Sequence, residues 1–223
     1  MGSPLPVLDA YERWAPDYDF DSNRTRDLDA AVLRAAGLPV EGAAVVEFGA
    51  GTGKNSAYLA SLARRLTALD LSPAMLARAR AKVRGAHVAF VEHDIVRPWP
   101  VPDAAADLVV GNLVLEHVAD VGPVFRHAAR ALRPDGILYV CELHPYRQLR
   151  GAVARFAAAE GEVRVKAWLH TTADYVTAAL AAGFRLVSMA EPRDVPAAGA
   201  DGENVPRLLQ LVFRKDPSAA MPG

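Results

Sequence analysis

The sequence predicts an α/β fold built on a mostly parallel, doubly wound sheet. Two observations carry that reading. Between residues 41 and 143, short apolar runs alternate with stretches of helical periodicity, as βαβ units require. The first run, "AAVVEF" (43–48), opens into "GAGTG", Gly49 to Gly53, where glycine lets backbone approach a ligand closely.

The elements follow in chain order. Residues 1–40 are polar and aromatic, and "DAYERWAPDYDFDSNRTRDLDAAVLRAAGL" predicts a short helix, a loop and a second helix ending at Gly37. After the glycine turn, Leu59, Leu62 and Leu66 mark a helix face. "LTALDL" (66–71) is the second strand. Ser72 and Pro73 then form an N-cap and first-turn pair, and Leu76, Ala79 and Val83 continue that helix. "HVAFVEHD" (87–94) and "ADLVVGN" (106–112) are the third and fourth strands. Val121, Phe125, Ala128 and Leu132 line a helix that stops before Pro134, and Asp135-Gly136 turns into "ILYVCEL", the fifth strand. A longer irregular or partly helical piece follows. "TTADYVTAALAAGF" is a helix closed by Gly183. "RLVSMAE" and "RLLQLVFR" form an antiparallel pair of strands at one sheet edge. The division is one domain over 1–216: an N-terminal lid (1–40), a cofactor-binding half (41–143) and a substrate-side half (144–216). The tail 217–223 reads as disordered.

Composition excludes several function classes. The 223 residues suffice for one core, and a formal net charge of -1 with pI near 6.6 argues against a life on nucleic acid or anionic lipid. The basic run Arg78, Arg80, Lys82, Arg84 alternates along one helix as a solvated face does. The single cysteine, Cys141, sits in an apolar strand as an inert thiol and fits a reducing compartment. No basic-then-apolar leader opens the chain, and no window approaches the ~20 apolar residues of a membrane span. The expected location is cytoplasmic.

In such sheets ligands bind beyond the carboxyl ends of the strands. The glycine turn lies at the first of these ends. Its third glycine comes one residue too early for the dinucleotide fingerprint, with Lys54 in the expected place, and the P-loop spacing is absent. Asp70 ends the second strand, placed to accept both hydroxyls of a ribose. Asp94 ends the third and could accept from an adenine amino group, with Ile95 packing on the ring.

"VVEFGAGTG", "LTALDLSPAMLARAR", "FVEHDI", "DLVVGNLVLEHV" and "LRPDGILYVCELHP", in this order and spacing, resemble the successive motifs of class I S-adenosylmethionine-dependent methyltransferases over nearly the whole chain. The resemblance implies a Rossmann-like, doubly wound seven-stranded sheet with an antiparallel last strand, helices on both faces and an N-terminal helical lid. It implies S-adenosylmethionine as cofactor and S-adenosylhomocysteine as product. By position, Glu47, Gly49, Ala50, Gly51 and Gly53 would surround the methionine part. Asp70 would hold the ribose, with Leu71 and Met75 beside the adenine. Asp94 and Ile95 would cover the adenine's other edge, while Asn112 and Leu113 would run along the nucleoside and sulfonium. "YERWAPDYD" is similar to the opening of many small-molecule members, so Tyr11, Trp14 and Tyr18 would place electron-rich rings near the sulfonium. Ordinary helix packing is the competing role for Trp14.

Methyl transfer from a sulfonium needs alignment, exclusion of water and, for many acceptors, removal of a proton. Two histidines at strand ends are candidates for that acid/base work. His117 follows the fourth strand in "NLVLEHV", with Glu116 beside it. His144 precedes Pro145, which holds it extended at the end of the fifth. His170 is a weaker third. No N-P-P-Y-like run marks a nucleobase or glutamine methylase, and no His/Cys/Asp cluster has metal-ligand spacing. Residues 146–170 would enclose the acceptor together with the lid; Phe156 and Trp168 suit an apolar acceptor, and Arg147, Arg150 and Arg155 could meet a carboxylate. The expected activity is methylation of an O, N or C atom of a small molecule, with secondary metabolism as a setting. Neither nucleic acid nor membrane is an expected partner, and the chain would be a monomer or homodimer. Two alternatives stay open: a non-methylation reaction on the same cofactor (cyclisation or decarboxylation), and a nicotinamide-dependent dehydrogenase.

Overall fold

Ala44–Phe48 (β1) is buried at every residue, because helices cover both of its faces. Val46 and Phe48 point into one hydrophobic cluster and Val45 into the other, the period-two alternation of a strand. The protein is described by a computed structural model covering residues 4–159, 161–194 and 205–217. The proposed tail, 217–223, lies outside the described residues from position 218 onward.

Two helices, Val7–Trp14 (α1) and Arg24–Ala35 (α2), precede β1. Asn23 caps α2 by accepting the Arg26 N–H, and Gly37 follows it at positive φ. Then come Lys54–Leu62 (α3), Arg65–Asp70 (β2), Pro73–Lys82 (α4), Val88–Glu92 (β3) and Ala106–Asn112 (β4). A 3₁₀ turn at Leu115–His117 leads to Gly122–Ala131 (α5) and Leu132–Leu143 (β5). Beyond these lie Pro145–Leu149 (α6), Arg155–Ala158 (β6), Gly161–Arg164 (β7), Thr172–Ala181 (α7), Phe184–Ala190 (β8) and Leu208–Lys215 (β9).

Seven strands form one sheet in the order β3-β2-β1-β4-β5-β9-β8. The pairs from β3 to β5 are parallel, and β9 runs antiparallel to both β5 and β8. The expected antiparallel last strand is therefore present, inserted one place in from the edge. Phe125, Ala128, Tyr175 and Ala179 of α5 and α7 join the cluster on one face; Leu33 of α2 and Leu59 of α3 join the other. Among the described residues, no helix is long and apolar enough to cross a membrane.

The irregular stretch after β5 holds a feature the sequence does not advertise: β6 and β7 form a separate antiparallel hairpin. "RFAA" and "GEVR" are too short and too poor in β-branched residues to signal strands. The hairpin gains its support from tertiary packing. Phe156 stacks on Trp14 at 5.1 Å, and Val165 pairs with Leu5 ahead of α1. The insertion thus packs against the N-terminal helix through Trp14 and Ala10.

Candidate active site

The glycine turn is shaped by its neighbours. Gly49 takes φ 75°, and a Cβ there would meet three atoms of the Val114 side chain within 2.9 Å. Only glycine lets the β4 loop pass this close. The Gly49 and Ala50 N–H groups donate to the Leu69 carbonyl (2.8 and 3.0 Å), which fastens the turn to β2. The Gly51 N–H donates to Asp70 Oδ2 (2.7 Å), and the Ser72 N–H donates to Oδ1 (2.9 Å). Asp70 therefore ties the turn to the start of α4 and keeps one further lone pair on each oxygen. Burial raises its pKa.

The turn forms one wall of a cavity of about 630 Å³. The other walls come from the ends of β2, β3 and β4 and from α1, α2 and the loop between them. Tyr11, Tyr18, Glu47, Gly49, Ala50, Gly51 and Gly53 all line it. So do Asp70, Leu71, Met75, Asp94, Ile95, Asn112, Leu113 and His117.

Two of the expected residues do not. Trp14 stands behind the cavity wall, buried between Phe156 and Tyr18, and its Nε1–H donates to Asp21 (2.7 Å). This is the packing role, enforced because α1 has one inward face and the hairpin occupies the side that Trp14 presents. His144 caps α6: its Nδ1 accepts the Tyr146 N–H (3.2 Å), and Nε2–H donates to Glu191 Oε1 (3.2 Å). The expectation of His144 in the crevice is corrected here, since Pro145 starts a helix instead of prolonging the strand, and the imidazole turns to serve its N-terminus. His170 is likewise turned away, hydrogen-bonded to the Val118 carbonyl at 2.6 Å.

None of the described residues between 146 and 170 lines the cavity either. Arg147 pairs with Asp194 and Arg155 with Glu162, while the Arg150 guanidinium lies 5.8 Å from the Tyr146 ring centroid. The segment supports the lid from outside. Among the described residues, no group of three or more His, Cys, Asp or Glu could hold a metal ion.

Sequence reasoning missed two side chains on α2. Asp29 is 3 % exposed and accepts from Asn55 Nδ2 (2.9 Å) and Asn112 Nδ2 (2.6 Å). Arg26 donates to the Tyr18 and Asp21 carbonyls and lies 4.0 Å from the Tyr18 ring centroid. A signal for Asp29 existed, because it shares the buried face of α2 with Leu33, four residues on.

Arg26, Lys54 and Lys82 line the cavity, yet its buried acids stand without ion pairs. Burial pushes Glu47 up to about 8, with Ser56 Oγ–H donating to it and Asp70 and Asp29 adding repulsion. Burial also raises Asp29. Neither acid, nor Asp70, has an ion-pair partner among the described residues. The Oδ1 atoms of Asn55 and Asn112 are buried without a hydrogen-bond partner beside them. Three desolvated acids and two orphaned amide oxygens fit a ligand rich in hydroxyl and ammonium donors.

Comparison with known proteins decides the family. A family profile described as a methyltransferase domain matches residues 46–140, from β1 to β5. The chain belongs to the class I S-adenosylmethionine-dependent methyltransferases. This methyltransferase is 29% identical over 227 residues to an uncharacterized methyltransferase of Emericella nidulans, across 83% of this chain and 78% of that one. It is 30% identical over 166 residues to the malonyl-[acyl-carrier protein] O-methyltransferase of Serratia marcescens, across 74% of this chain but only 63% of that protein's length. Among solved structures, the N-methyltransferase NodS of Bradyrhizobium japonicum, in complex with S-adenosylhomocysteine, superposes with a TM-score of 0.72 at 18% identity, covering 95% of this chain and 99% of that one. The cofactor of the methyltransferase is S-adenosylmethionine, and the product S-adenosylhomocysteine. Its hydroxyls and ammonium are donors from which the unpaired acids of the cavity can accept.

Proposed function

We propose that this methyltransferase moves a methyl group to an O, N or C atom of a small-molecule acceptor held in the same cavity as the cofactor. The observation that carries this is the hydrogen bond between Tyr11 Oη and His117 Nε2, 2.7 Å, on a cavity wall next to the cofactor residues. A volume of about 630 Å³ lies within the roughly 300–1,000 Å³ of small-molecule sites. It leaves room for a compact acceptor beside the cofactor and none for a folded macromolecule.

Asp70 would hold the ribose, Asp94 and Ile95 the adenine, and Glu47, Asp29 and the Gly49–Gly53 backbone the methionine end. When bound, S-adenosylmethionine supplies a methyl group already activated by a sulfonium. The chain's own work is alignment, exclusion of water and control of the acceptor proton. Residues 1–40 serve as the lid. Glu12 of α1 accepts from the Ser72 hydroxyl and the Ala74 N–H (3.1 Å), and Asp19 accepts from Thr52 Oγ1 (2.7 Å) and Lys82. These contacts fasten the lid to α4 and the glycine turn, closing the reacting groups off from solvent. Of the two histidines proposed for acid/base work, His117 is the one at the cavity.

The test is transfer of a labelled methyl group from S-adenosylmethionine in a lysate cleared of the protein's own acceptor pool and then resupplied by fraction. Label entering the small-molecule fraction supports the proposal. Label entering only protein or nucleic acid overturns it.

A further inference from the structure

The surroundings of the Tyr11–His117 pair narrow the acceptor; this step rests on the methyl-transfer reading above. His117 Nδ1 lies 3.0 Å from the Lys166 carbonyl oxygen, a group that can only accept. Nδ1 therefore carries the proton and Nε2 presents its lone pair. Tyr11 Oη, 2.7 Å from Nε2, must donate to it. Its hydroxyl proton is thereby committed to the imidazole, and its own lone pairs are left to accept from a molecule in the cavity. Lys166 follows the β6–β7 hairpin, so the insertion that packs against α1 also selects the tautomer of His117.

The walls beside this pair are apolar. Val7 and Leu8 come from α1, and Val114 and Val118 flank the 3₁₀ turn. The ionisable groups that face the pair are few. Glu116 Oε1 lies 3.8 Å from His117 Nε2, the His117 side chain being 5% exposed. Asp70 approaches from β2, Tyr18 from the loop after α1, and Arg26 from α2, where carbonyls already engage it. A carboxylate acceptor would enter between the like charges of Glu116 and Asp70, and the facing cation, Arg26, already donates to the Tyr18 and Asp21 carbonyls. A carboxylate needs no base, so the Tyr11–His117 pair would have no role with it. A neutral hydroxyl avoids the like charges and supplies the proton that the pair is placed to take.

We propose that Tyr11 and His117 act as a two-step proton relay and that the acceptor is a small, neutral, phenol-like hydroxyl compound. The acceptor O–H donates to Tyr11 Oη. As the acceptor oxygen bonds to the methyl carbon and the donor carbon–sulfur bond breaks onto sulfur, the acceptor proton passes to Tyr11 Oη. The proton that Tyr11 carried moves to His117 Nε2. The resulting imidazolium is stabilised by Glu116 and returns its proton to water when the product leaves. Phenols ionise near pH ~10, within reach of such a relay, whereas aliphatic hydroxyls ionise far higher, close to water itself. Tyr11 is the catalytic residue that touches the acceptor, and His117 works through it.

The experiment uses the protein loaded with S-adenosylhomocysteine and a panel of small phenols including 4-nitrophenol, whose phenolate is coloured. Binding to wild type should shift 4-nitrophenol toward its phenolate form. Tyr11→Phe and His117→Gln should lose that shift while still binding S-adenosylhomocysteine in calorimetry. With S-adenosylmethionine, wild type should methylate phenols and leave 4-nitrobenzoate unmethylated, and both variants should be slower by about 10²–10⁴-fold. No phenolate shift with any phenol, preferential methylation of 4-nitrobenzoate, or a Tyr11→Phe protein with wild-type shift and turnover would overturn the relay. Failure of wild type to bind S-adenosylhomocysteine would instead remove the methyl-transfer reading on which it rests.

Discussion

Asn112 Nδ2 donates to Asp29 Oδ1 at 2.6 Å, joining the end of β4 to the helix that precedes the whole sheet. Because Asp29 also accepts from Asn55 of α3, one buried carboxylate gathers three elements around the cofactor pocket. Replacing it with alanine leaves two buried amide donors without partners, at about 1–3 kcal/mol each. Asp29→Ala should therefore lower both thermal stability and affinity for S-adenosylhomocysteine. Asp29→Asn should preserve much of the fold and still bind the cofactor less tightly, as calorimetry would show. Equal affinity in Asp29→Asn would separate this residue from the ligand.

Protons should accompany cofactor binding. Glu47 is pushed up to about 8 by burial, and among the described residues no ion-pair partner reverses that. An ammonium placed beside it favours the carboxylate, so binding near neutral pH should release a fraction of a proton. Titrations in buffers of different ionisation enthalpy measure it directly. Glu47→Gln should abolish the release, and a buffer-independent binding enthalpy in wild type would contradict this arrangement.

Stability of the cofactor-free protein should fall as pH rises. Burial pushes Glu142, like Glu47, from 4.5 up to about 8, and the Glu142 carboxyl accepts the Val114 and Leu115 N–H groups at 3.1 Å. Between those two pH values the folded chain binds more protons than the unfolded one. The contribution is fully present below the unfolded value and is lost as pH climbs through about 8. Each group adds a slope of up to about 1.4 kcal/mol per pH unit. Urea midpoints should thus decrease toward alkaline pH, and less steeply in Glu142→Gln; a midpoint that rises over that interval would contradict the assignment.

Gly49→Ala introduces a Cβ 2.6 Å from Val114 at φ 75°. Overpacking of this kind costs about 1–3 kcal/mol, and the left-handed backbone about 1–2 more. Val114→Ala removes the two γ-methyls but keeps the Val114 Cβ at 2.6 Å, so the Gly49→Ala, Val114→Ala double variant should still melt well below wild type.

His144→Ala removes a cap and a hydrogen bond to Glu191, not a cavity residue. About 1 kcal/mol of stability should go with the cap, while methyl transfer and cofactor affinity stay at wild-type level. Impaired turnover at wild-type stability would restore His144 to the chemistry.

The sheet was legible because its signals are local: Ala44–Phe48, the Gly49–Gly53 turn and the Ser72-Pro73 cap each announce their own structure. The rule that ligands sit beyond the strand ends reached the Gly49–Gly53, Asp70, Asp94 and Asn112 walls of the cavity, while Tyr11, Tyr18, Leu71 and Met75 were placed by the family resemblance. What stayed hidden depends on contacts far apart in sequence. Tyr11 meets His117 across 106 positions, Asn112 meets Asp29 across 83, and the β6–β7 hairpin exists because Phe156 finds Trp14. His144 and His117 look alike as strand-end histidines. Only the turn that each one enters, a helix start or a 3₁₀ turn against the lid, tells them apart.

The most direct test of the account is calorimetric titration of the wild-type and Asp70→Ala proteins with S-adenosylhomocysteine and, separately, NADH. The account predicts a Kd for S-adenosylhomocysteine on the order of 1 μM, about -8.2 kcal/mol, weakened at least tenfold by Asp70→Ala, and no binding of NADH. Tighter binding of NADH, or an Asp70→Ala protein that binds S-adenosylhomocysteine as wild type does, would contradict it.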